Sequence, residues 1–145
     1  MTDEADHLTG EGYVHGPPLR LRVLEWCPPE NCPRRIPVLM IHGFTQTAHS
    51  WDTTAPALAK MGHHVVALDL RGHGESEWSK DGDYSRMAMV GDIIRVIHTY
   101  FCRKCINRQG IHLVGLSMGG ALAVTTALVL GPKKDLLYLV KSICH

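Results

Sequence analysis

Apolar residues recur along this chain in two rhythms, and the way they alternate predicts the architecture. Residues 38–41, 64–70 and 111–116 are short, almost unbroken apolar runs, the pattern of strands in a sheet covered on both faces. Between the first two runs, Trp51, Ala55, Leu58 and Ala59 fall on one side of a helix that Ser50 would cap and Gly62 would follow. Between the second and third, Val90, Ile93, Ile94, Ile97 and Phe101 recur at helical spacing, with Asp92, Arg95 and His98 on the opposite, polar side. Residues 118–130 are rich in Gly, Ala and Leu and carry no charge, which predicts a buried helix closed by Gly131-Pro132. Residues 136–143 read as a further strand. Upstream, Leu19, Leu21 and Val23 alternate with Arg20, Arg22 and Leu24, so 13–26 reads as a β-hairpin turning at Gly16-Pro17-Pro18, with a half-exposed second strand. Four prolines make 27–37 a loop.

Strand, helix, strand in this order predicts the α/β class, with a mainly parallel, doubly wound sheet. One domain is expected over 12–145, after a polar, acidic and disordered segment 1–11. In such sheets ligands collect at the carboxyl ends of the strands. Three motifs fall there.

Gly115-Leu116-Ser117-Met118-Gly119 fits G-x-S-x-G, and it has the strand before it and the small-residue helix after it that the motif requires. So tight a turn forces the serine into a strained backbone and leaves no room for side chains two positions before or after it, hence the two glycines. The serine hydroxyl is thereby presented at the sheet edge, and the Met118 amide at the new helix N-terminus can bond an oxyanion. His42-Gly43-Phe44 follows the first buried strand, where the Phe44 amide is the candidate second donor. Asp69-Leu-Arg71-Gly72-His73-Gly74-Glu-Ser76 is a glycine-rich turn after the second buried strand. It lacks both the G-K-[ST] ending and the G-x-G-x-x-G spacing of nucleotide loops, so its expected role is to shape the rim, with Asp69 and Arg71 ordering the loop. His42 and His73 are expected to order loops rather than act as bases.

These three segments, in this order and spacing, resemble the α/β-hydrolase superfamily, over roughly the first half of a usual member. The resemblance implies that Ser117 is the nucleophile and that the amides of Phe44 and Met118 form the oxyanion hole. Serine at the elbow is similar to the esterase, lipase, thioesterase and C–C hydrolase members, and unlike the epoxide hydrolase and dehalogenase members, which carry aspartate there. Members of the family supply an acid and then a histidine after the serine, commonly with a lid between. Here Asp135 and His145 are the one acid and the one histidine beyond Ser117, at opposite ends of one expected strand. Neither is expected to complete a triad. The catalytic acid and base are therefore not identifiable in this chain, which is expected to end after about the sixth strand, as an amino-terminal portion or as a non-catalytic scaffold. A sheet stopped there leaves an apolar edge, so a second copy or a partner chain is expected to cover it.

Fifteen basic and fourteen acidic residues leave a formal net charge of +1, which argues against nucleic acid as a partner. No run is long enough for a membrane span, and residues 1–10 have no export pattern, so a cytoplasmic protein is expected, while the family resemblance implies a small acyl substrate. Cys102 and Cys105 have the spacing of half a zinc or redox site, with Cys27 and Cys32 as the other half. The pair falls at the end of a helical pattern, so reduced thiols, no metal and no cofactor are expected.

Overall fold

The computed structural model describes residues 8–101, 110–131 and 138–143. Asp135, His145, Cys102, Cys105 and Cys144 lie outside the described residues. Six strands form one sheet in the order β1-β2-β4-β3-β5-β6. They are β1 (Gly10–Val14), β2 (Leu21–Trp26), β3 (Val38–Ile41), β4 (Val65–Leu68), β5 (Ile111–Leu116) and β6 (Tyr138–Ile143). Helices are α1 (Thr54–Lys60), α2 (Arg86–Tyr100) and α3 (Met118–Leu130), with a 3-10 turn at Ala48–Trp51.

The sheet is mixed: β4, β3, β5 and β6 are parallel, while β1 and β2 form an antiparallel hairpin joined antiparallel to β4. Every residue of β3 and β4 is buried, as their unbroken apolar runs demand. Two hydrophobic clusters lie on the two faces. One packs α2 and α3 on Leu21, Val23, Leu39, Ile41, Val66, Leu68 and Leu113; the other packs the 3-10 turn and α1 on Leu24, Trp26, Val38, Met40, Val65 and Ala67. Trp26 is almost fully buried in the second, and its truncation to alanine would cost about 3–5 kcal/mol.

Several expectations change. Gly10 and Glu11 belong to β1 rather than to a disordered segment, because the ladder to β2 continues to Gly10 opposite Glu25. The second hairpin strand is buried instead of half exposed, since β2 is an interior strand and both its faces are covered. Ser50 sits inside the 3-10 turn and does not cap α1; the side-chain cap is at α2, where Ser85 Oγ accepts from the Ala88 amide at 3.2 Å. Asp92 lies on the inward side of α2 and is buried, because Arg71 meets it there. The described residues cover helix α3 on one side: Gly119, Gly120, Leu122, Ala123 and Thr126 are buried, while Val124, Leu128 and Val129 are exposed. No helix among the described residues is long and apolar enough to cross a membrane.

Candidate active site at the carboxyl edge of the sheet

β3 and β5 are adjacent and parallel, with Ile41 beside Gly115. Phe44 and Met118 each lie three residues beyond that pair, so the register alone delivers the two candidate amides to the same edge. Neither amide has an acceptor among the described residues. Ser117 stands between β5 and α3 with φ 53° and ψ −116°, the one non-glycine residue with positive φ among those described. Such a conformation costs on the order of 1–3 kcal/mol and persists only where the surroundings impose it.

Those surroundings are backbone. A Cβ at Gly115 would run into the Gly119 carbonyl and the Gly120 amide, and a Cβ at Gly119 would run into the carbonyls of Ile41 and His42. The two glycines thus let the first turn of α3 sit against both its own strand and the end of β3. Ser117 is exposed, its carbonyl accepts from the amides of Gly120 and Ala121, and its hydroxyl makes no capping bond. No histidine or carboxylate among the described residues bonds that hydroxyl.

His42 is fully buried at the end of β3. The Leu70 amide donates to its Nε2 at 3.0 Å, so the ring proton sits on Nδ1 and is donated to the Gly43 carbonyl at 2.7 Å. Burial holds its pKa below the ordinary imidazole value, with nearby His73 adding to the shift against the opposing bond to Gly43. A neutral ring with both nitrogens engaged ties the end of β3 to the end of β4. Gly43 is in turn held through its amide by Gln46 Oε1 at 3.0 Å.

The loop after β4 wraps around Asp69. This fully buried carboxylate accepts from the Ala48 amide at 2.7 Å, the Glu75 amide at 3.0 Å and Arg22 Nη1 at 3.3 Å. Gly74, at φ 50°, passes so close that a Cβ there would land on the carboxylate. Arg71 forms a two-point pair with Asp92, at 2.6 and 2.9 Å, and donates to the carbonyls of Asp83 and Ala88. The bond to Asp92, working against burial, raises its pKa above the usual guanidinium value. Gly72 has positive φ, with the Tyr84 ring packed against it.

One feature was hidden in the sequence. Arg22, in an alternating strand, looks solvent-facing, yet it is buried and pairs with Asp69 and with Glu11 at 2.8 Å. Burial works against its charge, and the bonds to Glu11 and Asp69 outweigh it, so its pKa lies above the usual value. His73, expected from the sequence to order a loop, lies between two: Nε2 is 2.6 Å from the Phe44 carbonyl and Nδ1 is 3.0 Å from the Arg71 carbonyl. It thereby holds the Phe44 peptide, whose side chain is 69% exposed.

The model of the alpha/beta hydrolase fold family matches residues 36–134. The chain belongs to this family. Protein phosphatase methylesterase 1 of Bos taurus is 38% identical over 91 residues, 62% of this chain and 23% of that protein. Epoxide hydrolase B of Mycobacterium tuberculosis is 34% identical over 91 residues, 62% of this chain and 24% of that protein. Among solved structures, the thioesterase domain from the curacin biosynthetic pathway superposes with a TM-score of 0.70 at 33% identity, covering 83% of this chain and 41% of that domain. The matched stretch therefore spans about a quarter of the curated relatives and under half of the solved domain. Within the family this chain has serine, not aspartate, at the turn from β5 to α3.

Proposed function

We propose that this chain carries the nucleophile and oxyanion-hole half of a serine hydrolase that cleaves an ester or related acyl bond. The observation that carries the reading is Ser117 itself: a strained, exposed residue at a helix N-terminus, with an unengaged hydroxyl and two unengaged amides at neighbouring strand ends. In this reading Ser117 Oγ attacks the acyl carbon and the developing oxyanion is received by the amides of Phe44 and Met118. The leaving group departs with a proton, and water then cleaves the acyl-enzyme. The Ser117 proton needs an oriented base, which no described residue supplies; family resemblance assigns it to a histidine and an acid later in the chain than the elbow. The fold is read as the doubly wound core of the family. The methylesterase and thioesterase names of its relatives favour an acyl substrate, as does the serine.

Labelling with a fluorophosphonate probe tests this. A product extended by the coding sequence after His145, if it supplies the base, is expected to label at Ser117 and to lose the label in Ser117→Ala. The 145-residue chain alone is expected to react several orders of magnitude more slowly, since sites lacking triad members retain only about 10³–10⁴-fold catalysis over water. Equal labelling of wild type and Ser117→Ala would refute the assignment.

A second reading, a non-catalytic scaffold that takes a partner or a second copy, is favoured by a different observation. β6 has a paired neighbour on one side only among the described residues, and Val124, Leu128 and Val129 of the adjoining α3 are exposed. A monomer by sedimentation across the micromolar range would count against self-association.

A further inference from the structure

At the end of the sheet opposite Ser117, three ligating side chains meet. Glu25 is the penultimate residue of β2, Cys27 follows that strand, and His64 precedes β4. β2 and β4 run antiparallel, with Glu25 beside Val66 and Trp26 beside Val65. Carrying the register one residue further sets Cys27 opposite His64, and strand alternation puts Glu25 on the same face. The ligand atoms of all three residues lie within 4.8 Å of one another. Glu25 Oε1 and His64 Nε2 are 2.6 Å apart, while the Cys27 thiol is free and exposed.

We propose that Glu25, Cys27 and His64 bind a zinc ion, with water as the fourth ligand on the exposed side of Cys27. One thiolate, one imidazole and one carboxylate form a mixed S, N, O donor set that suits borderline-soft Zn²⁺ and is poor for Mg²⁺ or Ca²⁺, which require oxygen. The ligands are carried on a rigid frame. Thr9 Oγ1 accepts from the Cys27 amide at 2.8 Å and donates to the Glu25 carbonyl at 2.7 Å, so one hydroxyl fixes the backbone of two ligands. The Phe101 ring packs against the His64 ring at 5.2 Å between centroids. On binding, the hydrogen bond between His64 Nε2 and Glu25 is replaced by two bonds to the metal, the neutral His64 ring carries its one proton on Nδ1 instead of Nε2, and the Cys27 thiol loses its proton to solvent. The ion would staple the end of β2 to the start of β4. The Cys27–Cys32 pairing weighed from the sequence is not used, because Cys32 Sγ lies instead against the Lys60 carbonyl.

Cobalt(II) titration tests the site in a chain with Cys32, Cys102, Cys105 and Cys144 changed to serine, which leaves Cys27 as the one thiol. A near-ultraviolet thiolate-to-cobalt charge-transfer band should grow to saturation at one equivalent and be displaced by Zn²⁺. Cys27→Ser should abolish it, and His64→Ala or Glu25→Gln should each weaken binding about tenfold or more. Far-ultraviolet circular dichroism identifies any variant that fails to fold, in which case His64→Gln replaces His64→Ala. Absence of the band, or a band that His64→Ala and Glu25→Gln leave unchanged, would overturn the proposal.

Discussion

Residues 69–76 and 115–119 leave strands that flank β3 at the same edge of the sheet, yet they treat their polar groups in opposite ways. In the first loop, Asp69 accepts from two amides and from Arg22, and Arg71 donates to Asp92 and to two carbonyls, all with little exposure to water. In the second, the Ser117 hydroxyl and the Met118 amide make no bond, and the serine backbone is held in a costly conformation. The first loop uses polar groups to make a rigid wall. The second withholds them from structure, which is what a site needs if a substrate is to supply the missing partners. Strain at Ser117 can persist because Gly115 and Gly119 bring the turn against the first turn of α3 and the backbone at the end of β3.

The largest effect should come from breaking the saturated loop. Asp92→Ala strands the Arg71 charge in a buried setting and should cost about 3–5 kcal/mol in urea unfolding, whereas replacing both partners by Arg71→Met and Asp92→Leu should recover most of it. A loss under about 1 kcal/mol for the single change would mean that the pair behaves as an exposed one.

An intermediate effect is expected at His42, which joins the two loop systems through Leu70. Its folded pKa lies below the unfolded imidazole value of about 6.5. Above pH 6.5 both states are neutral and His42 adds no slope. As pH falls below about 6.5 the unfolded chain takes up a proton that the folded ring resists, so stability declines, by at most about 1.4 kcal/mol per pH unit, until the folded pKa is passed. His112 is shifted the same way by burial, so the comparison is with His42→Gln, which should unfold with a shallower acid slope than wild type. Equal slopes would show that His42 is not held neutral.

The smallest effect concerns the open loop. Ser117→Gly relieves the positive φ while adding unfolded-state entropy, and a net gain of about 1 kcal/mol in thermal or urea unfolding is expected together with loss of probe labelling. Unchanged or lowered stability would mean the turn is not strained, and the contrast between the two loops would fail.

Much of the turn at residues 115–119 could be read from the sequence because its constraints are local. Glycines two before and two after a serine, an apolar run ahead and small residues behind all act over a few bonds, and the two glycine collisions follow from them. The strands β3, β4 and β5 were legible for a similar reason: an unbroken apolar run has few stable placements other than a doubly covered sheet. Arg22 and Asp92 were misread because alternation and helical spacing report which side of an element a residue occupies, not what lies opposite. Each sits on an inward side that another chain segment supplies with a countercharge. Helix α3 was misread in the other direction, since its uniform apolarity predicts burial all round while its described neighbours cover one side.

The sequence by itself determined the family core, the turn that strains Ser117 and the candidate amide at Met118, since short-range sterics leave the backbone little choice there. Only the tertiary structure decided that His73 braces the Phe44 peptide, that Arg22 and Asp92 are buried with partners, and that Glu25, Cys27 and His64 converge. Each of these depends on strand order and register between segments far apart in the chain, and no local pattern of residues encodes that geometry.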